Sequence, residues 1–148
     1  MATTAFAIRP ATADDADRLS ELATQLGYPT TPSELAMRVR ALAALPDAAI
    51  LVATDADDRP IGWIHVGLKP SLLAPLSAQV MGLVVDEARR GVGIGAQLLN
   101  RAEAWATDRG CGELLVATRV TRERAHRFYR RHGYELLKTS HIFHKELV

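Results

Sequence analysis

The 148 residues contain one cysteine, Cys111, so no disulfide can close within the chain, and no Cys/His cluster has the spacing of a zinc site. An excess of one charge sign is also missing: 18 Lys and Arg against 17 Asp and Glu leave a net charge of +1. No global field favours nucleic acid or an anionic membrane, and any anion site must be local. No run approaches the roughly 18 apolar residues that span a bilayer, and residues 1–10 lack the basic start and apolar core of a secretion signal. These absences lead to the expectation of a cytoplasmic protein in a reducing compartment, with neither nucleic acid, membrane nor metal as partner. Repeats, linkers and low-complexity tracts are absent too. With 48% hydrophobic and 24% charged residues, one domain spanning residues 1–148 is expected.

What is present reads as a mixed series of strands and helices. Phe6–Pro10 alternates apolar and polar before a proline stops it, as a first strand would. Thr12 and Asp15 then cap a helix whose apolar stripe, Ala16, Leu19, Leu22, Ala23 and Leu26, ends at Gly27. Thr31-Pro32-Ser33-Glu34 is a fuller start signal, with an N-cap, proline at the first helical position and a capping-box glutamate. That second helix is predicted to about Leu45. Ala49–Ala53 and Ile61–Val66 read as a hairpin joined by the polar stretch Asp55–Arg59.

After the loop Pro70–Ser77, the continuously apolar Val80–Val85 predicts a strand buried on both faces. Ile94, Leu98, Leu99, Ala102, Trp105 and Ala106 trace a helix ending at Gly110, followed by a strand at Leu114–Ala117. Thr121 opens a last helix carrying Ala125, Phe128, Tyr129 and His132, stopped by Gly133. Two closing strands are predicted, Tyr134–Leu137 and Ile142–Leu147. The order is β-α-α-β-β-β-α-β-α-β-β, and only its middle strand-helix-strand unit requires a right-handed parallel crossover.

The chemistry concentrates where the Val80–Val85 strand turns into a helix. Gly91, Gly93 and Gly95 remove side chains at alternate positions, so consecutive backbone amides can face one anion at a helix N-terminus. Arg89 and Arg90 add guanidinium groups suited to phosphate oxygens. A pyrophosphate-bearing ligand fits. Gly91-Val92-Gly93-Ile94-Gly95-Ala96 also satisfies the loose dinucleotide pattern G-x-G-x-x-G/A, but Asp86–Arg90 separate it from its strand, and the next strand runs on to Thr118 and Arg119 rather than to an acidic residue. No Gly-Lys-Ser/Thr follows, so it is not a phosphate P-loop.

Leu83-x-Val85 leading into Arg90-x-x-Gly93-x-Gly95 resembles the acetyl-CoA signature of the GNAT superfamily of N-acetyltransferases, and Ala125-x-x-Phe128-Tyr129 followed by Gly133-Tyr134 resembles its second hallmark. The order of elements over nearly the whole chain is similar as well. The resemblance implies an α/β (mixed α+β) GNAT-like fold: a mostly antiparallel mixed sheet of six or seven strands, a splayed parallel pair at its centre and about four helices. It implies that Leu83, Val84 and Val85 pair with the pantetheine arm of acetyl-CoA as an added strand would. The amides of Arg90, Gly91, Val92, Gly93, Ile94, Gly95 and Ala96 would hold the pyrophosphate. Arg122 stands where many members have a helix-opening Asn, as a further cofactor contact or a plain surface charge.

The implied reaction is direct attack of a bound primary amine on the thioester through a tetrahedral intermediate, without an acyl-enzyme. Cys111, between Gly110 and Gly112 in a helix-strand turn, is expected away from the thioester. Tyr129 matches the tyrosine that donates to the departing sulfur, an alternative being an ordinary core tyrosine. An alkylammonium acceptor must lose a proton. Gln79 occupies the position where some members have a basic glutamate and cannot serve, which leaves His65 as a candidate base through a water path. Tyr28, in the stiff Gly27-Tyr28-Pro29 loop, and Gln79 are candidate acceptor-site residues. A small-molecule amine acceptor, acetyl-CoA as co-substrate and a homodimer are expected. A protein acceptor, an acyl-CoA sensor without turnover and a dinucleotide-binding fragment remain alternatives.

Overall fold

The computed structural model describes residues 5–148, which divide into two compact units, one ending at Ala117 and one comprising Thr118–Val148. No helix among these residues is long and apolar enough to cross a membrane.

The first unit is a five-stranded sheet. In chain order it contains β1 (Ala7–Pro10), α1 (Ala16–Leu26), α2 (Pro32–Ala43), β2 (Ala48–Thr54), β3 (Pro60–Lys69), β4 (Ser77–Val85), α3 (Ile94–Asp108) and β5 (Leu114–Val116). The strands lie side by side in sequence order, antiparallel from β1 to β4, with β5 parallel to β4. The helix starts follow local chemistry. Thr31 Oγ1 accepts from the Glu34 amide at 3.2 Å and Glu34 Oε1 accepts from the Thr31 amide at 3.3 Å, closing the expected capping box with Pro32 in the first turn. Asp15, buried before α1, accepts from the Thr12 amide at 2.8 Å and from both Arg9 terminal nitrogens at 2.8 and 2.9 Å.

Alternating side chains divide the sheet into two faces. On one, Leu19 of α1, Val39 of α2 and Val52 of β2 form a buried cluster against which Ile50 and Trp63 pack. The other supports α3, whose Ile94, Leu98, Leu99, Ala102 and Ala106 are buried. A cleft of about 490 Å³ is bordered by Arg9, Asp15, Arg18 and Asp58 among others. Arg9 bridges Asp15 at 2.8 Å and Asp58 at 2.9 Å.

The second unit contains one regular element, α4 (Glu123–Arg131). It stops where Gly133 takes φ 89°. The Tyr134 amide donates to the Tyr129 carbonyl at 3.0 Å and the Gly133 amide to the Arg130 carbonyl at 3.1 Å, the paired bonds of a Schellman end.

Two expectations are corrected. Tyr134–Leu137 and Ile142–Leu147 form no strand, so the described residues hold five strands rather than six or seven. Strand-favouring apolar residues are present in both, but a strand is stable only when its backbone finds a ladder partner, and neither segment has one in the single chain. As a consequence the parallel pair β4–β5 lies at the sheet edge instead of its centre.

Candidate active site

β4 is paired along one side only over much of its length. Its register with β3 runs from Ser77 to Val85, whereas its register with β5 covers only Ala78, Gln79 and Val80. Beyond Val80 the outer edge of β4, which carries Leu83, Val84 and Val85, therefore has no neighbouring strand among the described residues. Such an edge presents main-chain donors and acceptors to an extended ligand.

The chain then passes a 3-10 turn at Glu87–Arg89 and enters α3 through Gly91 and Gly93, at φ 88° and 87°. A methyl group at either glycine would meet nothing within 4 Å. Backbone conformation, and not crowding inside the protein, is what selects glycine there. The first amide bond of α3 is from Gln97 to the Gly93 carbonyl, at 3.1 Å. The amides of Ile94, Gly95 and Ala96 precede it, in the turn where a helix has no acceptors of its own. Arg89 is not a free cation beside this loop, because its Nη2 lies 3.8 Å from Asp55. Arg90 donates from Nε to the Val85 carbonyl at 3.3 Å.

The β3–β4 register shifts between His65 and Val66: His65 faces Gly82 and Val66 faces Val80, so Met81 is the extra residue of a β-bulge. His65 and Gln79, the latter opposite Gly67, share the face that bears α1 and α2. Burial lowers the His65 imidazole below the ordinary histidine value, which keeps the ring neutral and able to accept a proton near pH 7. Gly82 is required by contact: a Cβ there would stand 2.8 and 2.9 Å from the Trp63 ring and 3.9 Å from Leu26 at the end of α1. Tyr28 follows two residues later, about half exposed, its amide bonded to the Ala23 carbonyl at 2.9 Å. Sequence reading missed the bulge and the roles of Met81 and Trp63. The available signal was a glycine inside an apolar strand.

In the second unit, Tyr129 lies on α4 with its ring edge-on to Phe128 at 5.2 Å and to Tyr134 at 5.7 Å. Burial pushes its hydroxyl up to about 12, with the Arg122 charge acting in the opposite direction. The phenol is therefore a neutral donor over the whole physiological range. Arg122 occupies the N-cap position of α4. Gly133 and Tyr134 have a mechanical reason to follow Tyr129, since together they close the helix end on its carbonyl.

The sequence profile described as the Acetyltransferase (GNAT) family matches residues 15–134. The chain belongs to the GNAT family of acetyltransferases. As such it is an acetyl-CoA-dependent N-acetyltransferase, which moves an acetyl group from acetyl-CoA to an amine. This GNAT protein is 30% identical over 139 residues to an aminoglycoside N(6′)-acetyltransferase type 1 of Stenotrophomonas maltophilia, covering 91% of this chain and 90% of that one. Its fold is similar to that of an aminoglycoside antibiotic 6′-N-acetyltransferase from Acinetobacter baumannii, with TM-score 0.85 and 18% identity over 97% of this chain and 100% of the other. It is similar also to an aminoglycoside N-acetyltransferase crystallised with CoA, with TM-score 0.83 and 18% identity over 98% of this chain and 97% of that one.

Proposed function

We propose that this chain acts as one catalytic domain that acetylates the 6′-amine of a small, amine-rich molecule of the aminoglycoside class by direct attack on acetyl-CoA. The observation that carries the acceptor class is the 30% identity, over nine-tenths of both chains, to an aminoglycoside N(6′)-acetyltransferase. The fit of the co-substrate rests on the open outer edge of Leu83–Val85 and on the loop in which Gly91 and Gly93 leave space. Side-chain identity matters little along that edge, because it is the backbone of Leu83, Val84 and Val85 that would pair with the pantetheine amides. The amides from Arg90 to Ala96 would receive the pyrophosphate.

The acceptor amine arrives largely protonated and loses a proton through water to His65, whose neutral ring is favoured by burial. Its nitrogen forms a bond to the thioester carbonyl carbon. The carbon–sulfur bond of the resulting tetrahedral intermediate then breaks, the electron pair leaves with sulfur, and the surplus proton on nitrogen passes through water to the released sulfur, which leaves a neutral amide and the CoA thiol. Tyr129 stabilises that developing thiolate by hydrogen bonding. With its hydroxyl at about 12 and a thiol at about 8.5, complete proton transfer to sulfur is several kcal/mol uphill, so donation without transfer is its main role. Arg122 supports the negative charge of the co-substrate, and Tyr28 and Gln79 border the acceptor.

A panel assay tests this reading: acetyl-CoA with an aminoglycoside, a simple diamine and a lysine peptide, following free thiol. Turnover is expected with the aminoglycoside and not with the peptide. Turnover with the peptide alone would give the protein-acceptor reading, and tight acetyl-CoA binding without turnover on any amine would give the sensor reading.

A further inference from the structure

Strict alternation along β4 would send every second side chain to each face of the sheet. The bulge breaks that count. Val80 stands opposite Val66 and Gly82 opposite His65, with Met81 between them, so Met81 and Gly82 both turn to the face that bears α1 and α2. The Met81 side chain lies across the neighbouring strand at Gly67: its Cε is 3.7 Å from the point a Gly67 Cβ would occupy. Gln79 is opposite that same Gly67. An exposed apolar side chain alone carries no message. Here an irregularity of the strand places one, 53% exposed, between His65 and Gln79 and over a neighbour that has no side chain.

The floor so formed is uncharged. Met81 is apolar, Gln79 is neutral, and burial keeps the His65 ring neutral near pH 7. Asp47 reaches the same point above Gly67 with its backbone carbonyl, at 3.6 Å, and that oxygen already accepts from the Leu68 amide at 2.8 Å.

Granted that this face receives the acceptor, we propose that Met81 sets acceptor specificity: its thioether is the apolar contact for the hydrocarbon that carries the reacting amine, and the acceptor's other ammonium groups lie off this floor. In an aminosugar that hydrocarbon is the C–H face beside the 6′ carbon. A thioether is polarisable and turns about three bonds, so it follows the shape of different hydrocarbon neighbours. An amine held against a carboxylate would keep its proton, whereas an uncharged, partly desolvated floor favours the proton loss that attack requires.

The test uses the full chain with isotopically labelled methionine methyl groups, observed by NMR with CoA bound. The chain has three methionines, and Met81→Leu identifies the Met81 signal. Titration with a 6′-amine aminoglycoside and with a simple diamine is expected to move that signal saturably. In kinetics with acetyl-CoA, Met81→Ala should raise the acceptor KM about tenfold and leave KM for acetyl-CoA unchanged, and Met81→Leu should recover most of the loss. Met81→Glu should split the parameters: KM for a multiply charged acceptor falls about fivefold at low salt and returns at high salt, while kcat at pH 7 falls. Circular dichroism and urea midpoints near those of wild type establish that the variants remain folded. If the aminoglycoside neither turns over nor moves the signal while the diamine does both, the aminoglycoside reading falls and the role of Met81 stands. No movement of the Met81 signal with either amine, or acceptor KM and kcat within twofold of wild type in both Met81→Ala and Met81→Glu, would overturn the proposal.

Discussion

Nη2 of Arg18 on α1 lies 2.9 Å from Oδ2 of Asp86, the residue that follows β4 and begins the turn toward the glycine loop. Arg18 also donates to the Pro60 carbonyl at 2.9 Å, and Gln25 of the same helix donates to Asp86 at 3.3 Å and accepts from the Glu87 amide at 3.0 Å. One helix is thereby fixed to the strand that leads to the loop. Both partners of the ion pair are largely buried, with 13% and 18% of their side chains exposed.

Burial raises the Asp86 carboxyl, but bonds from the Ala88 amide, Arg18 and Gln25 outweigh it and hold the group below the ordinary carboxylate range. A depressed native value contributes stability that is complete above about pH 4 and lost as the pH falls through the native value. Asp86→Asn is expected to cost about 1–3 kcal/mol at pH 7 in urea unfolding. The gap from wild type should shrink by pH 3. An equal gap at both pH values would rule out the carboxylate charge as its source.

Two glycines are expected to fail for different reasons. In Gly82→Ala the new methyl meets the Trp63 ring at 2.8 Å, and overpacking should cost about 1–3 kcal/mol. In Gly93→Ala nothing is crowded, and the left-handed backbone at φ 87° should cost about 1–2 kcal/mol. Urea unfolding gives both costs. Because Gly93 lies in the loop assigned to pyrophosphate, its variant should also raise KM for acetyl-CoA, whereas an unchanged KM would remove the loop from cofactor binding.

Tyr129→Phe should lower kcat about 10²-fold, the scale of a lost donor to a developing anion. KM for acetyl-CoA should stay near wild type. With the hydroxyl at about 12, Tyr129 should impose no alkaline fall in rate below about pH 11. Steady-state kinetics with full activity in Tyr129→Phe would reduce this residue to its helix-end packing.

For His65 the sign is opposite to that of a histidine stabilised as a cation. Burial lowers its value, so the ring proposed as the base is neutral at pH 7, and in that role the acidic limb of kcat should lie below the ordinary value of about 6.5. His65→Gln should remove that limb and lower the rate at pH 7 about tenfold. Retention of the limb in the variant would assign proton removal to another group.

Features set by neighbouring residues were legible in the sequence. The Thr31–Glu34 capping box, the helix ends at Gly27 and Gly133 and the apolar run of β4 each depend on a few adjacent positions. Features set by distant partners were not. The Arg18–Asp86 pair joins residues 68 apart, and the bulge at Met81 depends on how β3 and β4 settle into register. The last two predicted strands failed for the same reason: their apolar residues are local, but a strand needs a distant ladder partner, and neither segment has one. For the site, the glycine loop and Tyr129 were readable as motifs, whereas the shared face of His65 and Gln79 required the register.

The central claim is transfer from acetyl-CoA to an aminoglycoside amine, and the most direct measurement compares two aminoglycosides that differ only in a 6′-amine or a 6′-hydroxyl. Thiol release and a mass gain of one acetyl group are expected with the 6′-amine and neither with the 6′-hydroxyl. Equal turnover of the two compounds, or none with either, would contradict the account.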